Sequence, residues 1–167
     1  MMLRVPIGID DFRELREQRL EYVDKSHLVQ ELLDRPGAKV VLLPRPRRFG
    51  KSLNLSMLRY FFEKRSEDLW PLFADLSIAR AGERYRAHFQ RHPVIYLTFK
   101  GAKHERFEDT WDALRLKIEA LFREHQGVLE SGLLAPGEVR SYNAILEGTG
   151  SPALYHRALA DLSAYLH

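Results

Sequence analysis

Residues 38–53 read Ala-Lys-Val-Val-Leu-Leu-Pro-Arg-Pro-Arg-Arg-Phe-Gly-Lys-Ser-Leu: an apolar run, a short basic loop and a Gly-Lys-Ser triplet, in that order. The run over 38–43 follows the Arg35-Pro36-Gly37 stop and carries Val40, Val41, Leu42 and Leu43. It predicts a buried strand of the kind found in parallel sheets covered on both faces. Beyond the triplet, Leu53, Met57, Leu58 and Phe61 recur at helical spacing. Strand, tight loop and helix is the context in which Gly, four residues, Gly-Lys and Ser or Thr wrap backbone N–H groups around phosphate oxygens. On this reading Lys51 reaches the β and γ phosphates, Ser52 ligates magnesium, and the helix turns its positive end to the anion. The pattern's first glycine falls on Arg45, whose Cβ makes a turn of positive φ harder to form. A competing reading uses the same loop differently. Arg45, Arg47, Arg48 and Lys51 concentrate positive charge enough to contact nucleic-acid phosphates or the acidic face of a protein, with no catalysis implied.

Outward toward the N-terminus, residues 10–18 carry Phe12 and Leu15 among charges, and Ser26 begins a segment with Leu28, Val29, Leu32 and Leu33 on one helical face. Two short helices are expected there, with 20–24 between them either a strand or an ordered loop. Outward toward the C-terminus, Val94-Ile95-Tyr96-Leu97-Thr98-Phe99 predicts a second buried strand. Phe107, Trp111, Leu114, Ile118, Leu121 and Phe122 fall on one face of a long helix. Residues 127–152 hold five glycines and two prolines and read as loop-rich, before Leu154, Leu159, Leu162, Tyr165 and Leu166 mark a final helix. Trp111, Tyr60, Phe61 and Phe62 are expected in the core.

The bulk properties exclude more than they specify. At 167 residues, one compact domain spanning 1–167 is expected. The 26 basic residues exceed the 23 Asp and Glu by three, too few to demand a nucleic-acid or membrane partner. The absence of cysteine excludes disulfides and thiolate metal sites. No run of about 18 apolar residues occurs, so no membrane association and a cytoplasmic location are expected. The His88/His92 pair has helical metal-site spacing but lacks a third ligand.

Three segments together resemble the predicted AAA-ATPase-like family: Pro6-Ile7-Gly8-Ile9 with Asp11-Phe12 and Leu15; Tyr22-Val23-Asp24-Lys25-Ser26; and Arg45-Pro46-Arg47-Arg48-Phe49-Gly50-Lys51-Ser52-Leu53. In that family arginine stands in place of the loop's first glycine. The resemblance implies an α/β fold, a P-loop NTPase core of AAA or RecA type. The nucleotide-binding residues would be Arg45, Pro46, Arg47, Arg48, Phe49, Gly50, Lys51, Ser52 and Leu53, with ATP and Mg2+ as cofactors and Ser52 meeting the metal through the nucleotide. Asp24 and Lys25 would shape the pocket in such a protein, although an Asp before Ser26 also suits a helix cap, the reading preferred here. Hydrolysis further needs an acidic strand. No such strand is legible, and in the family it would follow soon after 162–167, as would any nuclease-like domain. The sequence thus resembles the N-terminal part of such an ATPase, with hydrolysis expected to be weak or absent. Its incomplete parallel sheet would favour self-association or a partner chain that completes it.

Overall fold

The computed structural model describes residues 6, 8–44, 46 and 49–167. They fall into two compact units, Met1–Val94 and Ile95–His167.

In the first unit the short helix α1 (Phe12–Glu17) opens on Asp11, whose Oδ1 accepts the Glu14 N–H at 2.9 Å, and it buries Phe12 and Leu15 completely. The other oxygen of Asp11 accepts hydrogen bonds from the Ser56 and Tyr60 hydroxyls, at 3.1 and 3.0 Å. Those hydroxyls belong to α3 (Lys51–Phe62), so one carboxylate caps α1 and ties it to its neighbour. Helix α2 (His27–Leu33) buries Leu28 and Val29. The Ser26 side chain does not cap α2. It is fully buried, shares a hydrogen bond with the Ser77 hydroxyl at 2.9 Å and accepts the Ile78 N–H at 3.1 Å. A 3-10 turn at Ser77–Arg80 is thereby fastened beside α2. The single-turn helix α4 (Glu83–Arg86) follows.

The centre of this unit is aromatic. Phe12 and Phe73 lie 5.0 Å apart between ring centroids, Phe61 packs edge-on to Phe73 at 5.5 Å and to Phe89 at 5.4 Å, and Trp70 meets Phe89 at 5.0 Å. Most of these are the edge-to-face arrangements that ring quadrupoles favour. Tyr60 and Phe62 pack partly buried around them, as expected.

The second unit is helical. Helix α5 (Phe107–Glu124) covers the long periodic segment, with Leu121 and Phe122 buried and Trp111 and Ile118 packed at the core's margin, while Phe107 is 75% exposed. Helices α6 (Pro136–Leu146) and α7 (Pro152–Tyr165) complete it. The buried Tyr142 hydroxyl donates to the Phe122 carbonyl at 2.7 Å, and that of Tyr155 to Glu119 Oε1 at 2.6 Å. Both buried hydroxyls are satisfied in this way.

Two sequence expectations are corrected. No parallel sheet forms among the described residues, so the α/β core is not present; the single strand-like pairing is an isolated parallel bridge between Glu63 and His92. The run 38–43 forms no regular element and pairs with no strand among the described residues, leaving Val40 77% and Leu42 82% exposed. The run 94–99 packs Ile95 and Leu97 against the second core, again without a ladder partner. A strand is completed by inter-strand hydrogen bonds, and an apolar run alone cannot supply them. The expected incomplete sheet with open edges, and the self-association argued from it, lose their basis. The loop-rich reading of 127–152 is also corrected: α6 lies inside it, with Pro136 at its first position and Glu138 accepting the Ala135 N–H at 2.8 Å.

Replacing Ser26 by Ala strands the Ile78 N–H in a buried setting. Urea unfolding is expected to show a loss of about 1–3 kcal/mol, with an unchanged slope; no loss would show that the Ser26 hydroxyl does not hold the turn in place.

Candidate phosphate-binding site

Gly50 stands immediately before α3 with φ of 70°, the left-handed conformation that glycine adopts without strain, and its carbonyl accepts the Asn54 N–H at 2.9 Å. No side chain caps this end. The first turn of a helix lacks intrahelical acceptors for its N–H groups and carries the positive end of the helix dipole.

Two cavities flank this turn. One, of about 310 Å³, is lined by Lys25, His27 and Leu28, by 41–43, and by Lys51, Asn54 and Leu55 of α3. The other, of about 430 Å³, is lined by Tyr22, Val23 and Lys25, by Phe49 and Gly50, and by Leu53 and Asn54, with Pro6, Leu15 and Glu21 at its margin. Lys25 and Asn54 face both. Ligand sites are typically concave and largely apolar, with a few placed polar groups, and both cavities have that character.

Of the expected site residues, Phe49, Gly50, Lys51 and Leu53 are gathered here, whereas Ser52 is exposed on the first turn and Pro46 is exposed on the approach, neither lining a cavity. Arg45, Arg47 and Arg48 lie outside the described residues. Sequence reasoning missed Asn54, His27 and the wall formed by 41–43. Asn54 lies four residues beyond Gly50 on the same helical face, which is the signal that could have found it.

The segment 22–26 is held firmly beside α3. Asp24 Oδ1 accepts the Ser26 N–H at 2.8 Å and Oδ2 the Ser77 N–H at 2.7 Å, so this carboxylate braces the approach to α2 and the 3-10 turn together. Burial raises the Asp24 pKa, but hydrogen bonds from Ser26 and Ser77 outweigh it and bring it to about 2. The Lys25 N–H donates to the Tyr22 hydroxyl at 3.4 Å, and that hydroxyl donates to Met57 Sδ of α3, also at 3.4 Å. Burial pushes the Tyr22 pKa up, so this phenol stays protonated and able to donate.

Among the described residues no group of three or more His, Cys, Asp or Glu could hold a metal ion. Magnesium commonly binds through one or two side chains together with substrate phosphates and water, so a nucleotide-borne ion needs no such cluster. His88 Nδ1 and His92 Nε2 are 3.0 Å apart, within hydrogen-bonding distance of each other. No described helix is long and apolar enough to cross a membrane.

The Asp24 carboxylate is more acidic folded than in its ordinary state near 3.8, so its stabilisation is present above that pH and lost as pH falls toward about 2. Thermal midpoints measured from pH 7 to 2 are expected to be lower for Asp24→Asn at neutral pH and to converge on wild type at the acid end. A constant gap down to pH 2 would contradict this.

A family model described as AAA-ATPase-like, "Predicted AAA-ATPase", matches residues 6–146. An "Uncharacterized protein in vnfD 5'region" of Azotobacter chroococcum mcd 1 is 36% identical over 99 residues, which cover 59% of this chain and 17% of that protein. The chain thus spans about a sixth of the length of the curated relative it matches. No solved structure matches.

Proposed function

This chain belongs to the predicted AAA-ATPase-like family, and from that premise we propose that it binds ATP with Mg2+ at the start of α3. The observation that carries the reading is the coincidence of Gly50 in its left-handed turn with Lys51 on the first helical position, both facing ligand-sized cavities. Lys51 supplies a positive charge for the β and γ phosphates, the first-turn N–H groups supply directed donors, and the exposed Ser52 hydroxyl is available to a magnesium ion carried by the nucleotide. By their place in the sequence, Arg45, Pro46, Arg47, Arg48, Phe49 and Leu53 flank these groups, and the arginines add charge of the right sign. The bound ion neutralises phosphate charge; everything else falls to the chain's own groups.

Catalysis asks for more than binding. An acid must orient the attacking water or hold the metal, and Glu21 is the sole acid among the described residues lining the two cavities. Hydrolysis by this chain is therefore expected to be slow, below about one turnover per second at saturating ATP.

The test is a calorimetric titration of ATP into the full chain, with and without magnesium, beside Lys51→Ala. Saturable, magnesium-dependent binding weakened about tenfold or more in the variant is expected, as for loss of a charge-assisted contact. Binding that ignores Mg-ATP while nucleic acid binds with steep salt dependence would replace this reading by the non-catalytic one.

A further inference from the structure

We infer that Lys25 is a second cationic contact for the phosphate chain, placed so that the site distinguishes a nucleoside triphosphate from a monophosphate. This rests on the nucleotide-binding reading above and extends it to a residue outside the glycine-lysine-serine loop.

Lys25 lines both cavities, the one that holds Lys51 and the one that holds Gly50 and Phe49. Its side chain is half-buried, and among the described residues no carboxylate pairs with its ammonium group. The acid beside it in sequence, Asp24, is already engaged by the Ser26 and Ser77 N–H groups. Leu28, Leu43 and Leu55 share the wall of the first cavity with Lys25, so an anion bound there meets the ammonium charge beside apolar surface. Lys25 and Lys51 line the same cavity, so a polyanion bound there meets two positive charges.

The backbone is built to hold Lys25 there. Its N–H is anchored on Tyr22, Tyr22 on Met57 of α3, and Asp24 on the 3-10 turn at Ser77–Arg80, so residues on either side are fixed relative to the helix that carries Lys51. Because Lys51 and Lys25 both line the first cavity, we expect a longer phosphate chain to reach both ammonium groups and a single phosphate to reach one.

ATP, ADP and AMP are titrated calorimetrically into the full chain, Lys25→Met, Lys25→Arg and Lys51→Ala, with circular dichroism and thermal midpoints establishing that each variant is folded. Lys25→Met keeps most of the apolar stem and removes the charge. It is expected to weaken ATP about tenfold or more, ADP less, and AMP hardly at all, compressing the affinity series, with Lys25→Arg recovering most of the loss. If Lys25→Met binds ATP as wild type while Lys51→Ala does not, this inference fails and the nucleotide site stands. Equal weakening of ATP and AMP by Lys25→Met also overturns it, since the residue would then be serving the fold or the nucleoside. If the wild-type chain binds no ATP, the site reading itself fails and the role of Lys25 falls with it.

Discussion

The rotation of α3 about its own axis is the constraint on which the first unit depends. Met57 and Phe61 are completely buried, each worth about 1.5–3 kcal/mol by removal from water, so the helix cannot turn without exposing them. Positions 50, 54, 57 and 61 follow one another at intervals of four, three and four, the spacing of a single face. The stripe that forms the core at Phe61 and Met57 therefore continues to Asn54 and Gly50. There the packing partners run out, and the face opens onto the two cavities. Core and site are two ends of one seam, and the burial of the first aims the second.

Much of this was legible in the sequence because it is local. The recurrence of Leu53, Met57, Leu58 and Phe61 predicted α3, Phe12 and Leu15 among the charges of 10–18 predicted α1, and the Phe107 to Phe122 periodicity marked α5. Where the reading failed, the missing information was non-local or was punctuation misread. Val40 to Leu43 has the composition of a buried strand, but a strand exists only beside another, and no local property of the run reports whether a neighbour is there. Pro136 and Gly148 were read as loop residues by composition. Proline suits the first turn of a helix and a left-handed glycine suits its end, and the φ of 69° at Gly148 shows the second role.

The site was half legible. Gly50 and Lys51 announce themselves, since a left-handed glycine before a helix and a lysine on its first position are recognisable from spacing. Lys25 was indicated only through the family resemblance, and the hydrogen bonds of Tyr22 and Asp24 that hold its backbone reach to Met57 and Ser77, far along the chain. The preferred reading of Asp24 as a cap caught only the local half of its role. It does bond an N–H at the start of α2, but its second oxygen is committed to another element.

The distribution of tryptophan has an optical consequence. The chain has two, and each unit holds one: Trp70 lies edge-on to Phe89 with the Arg86 guanidinium 4.5 Å from its ring centre, and Trp111 lies against Tyr155 and 5.6 Å from the His156 ring. Intrinsic emission is therefore a sum of two reporters in dissimilar surroundings. With one indole in each unit, replacing either tryptophan by phenylalanine leaves emission that reports on the other unit alone, a spectroscopic label for each without any added dye.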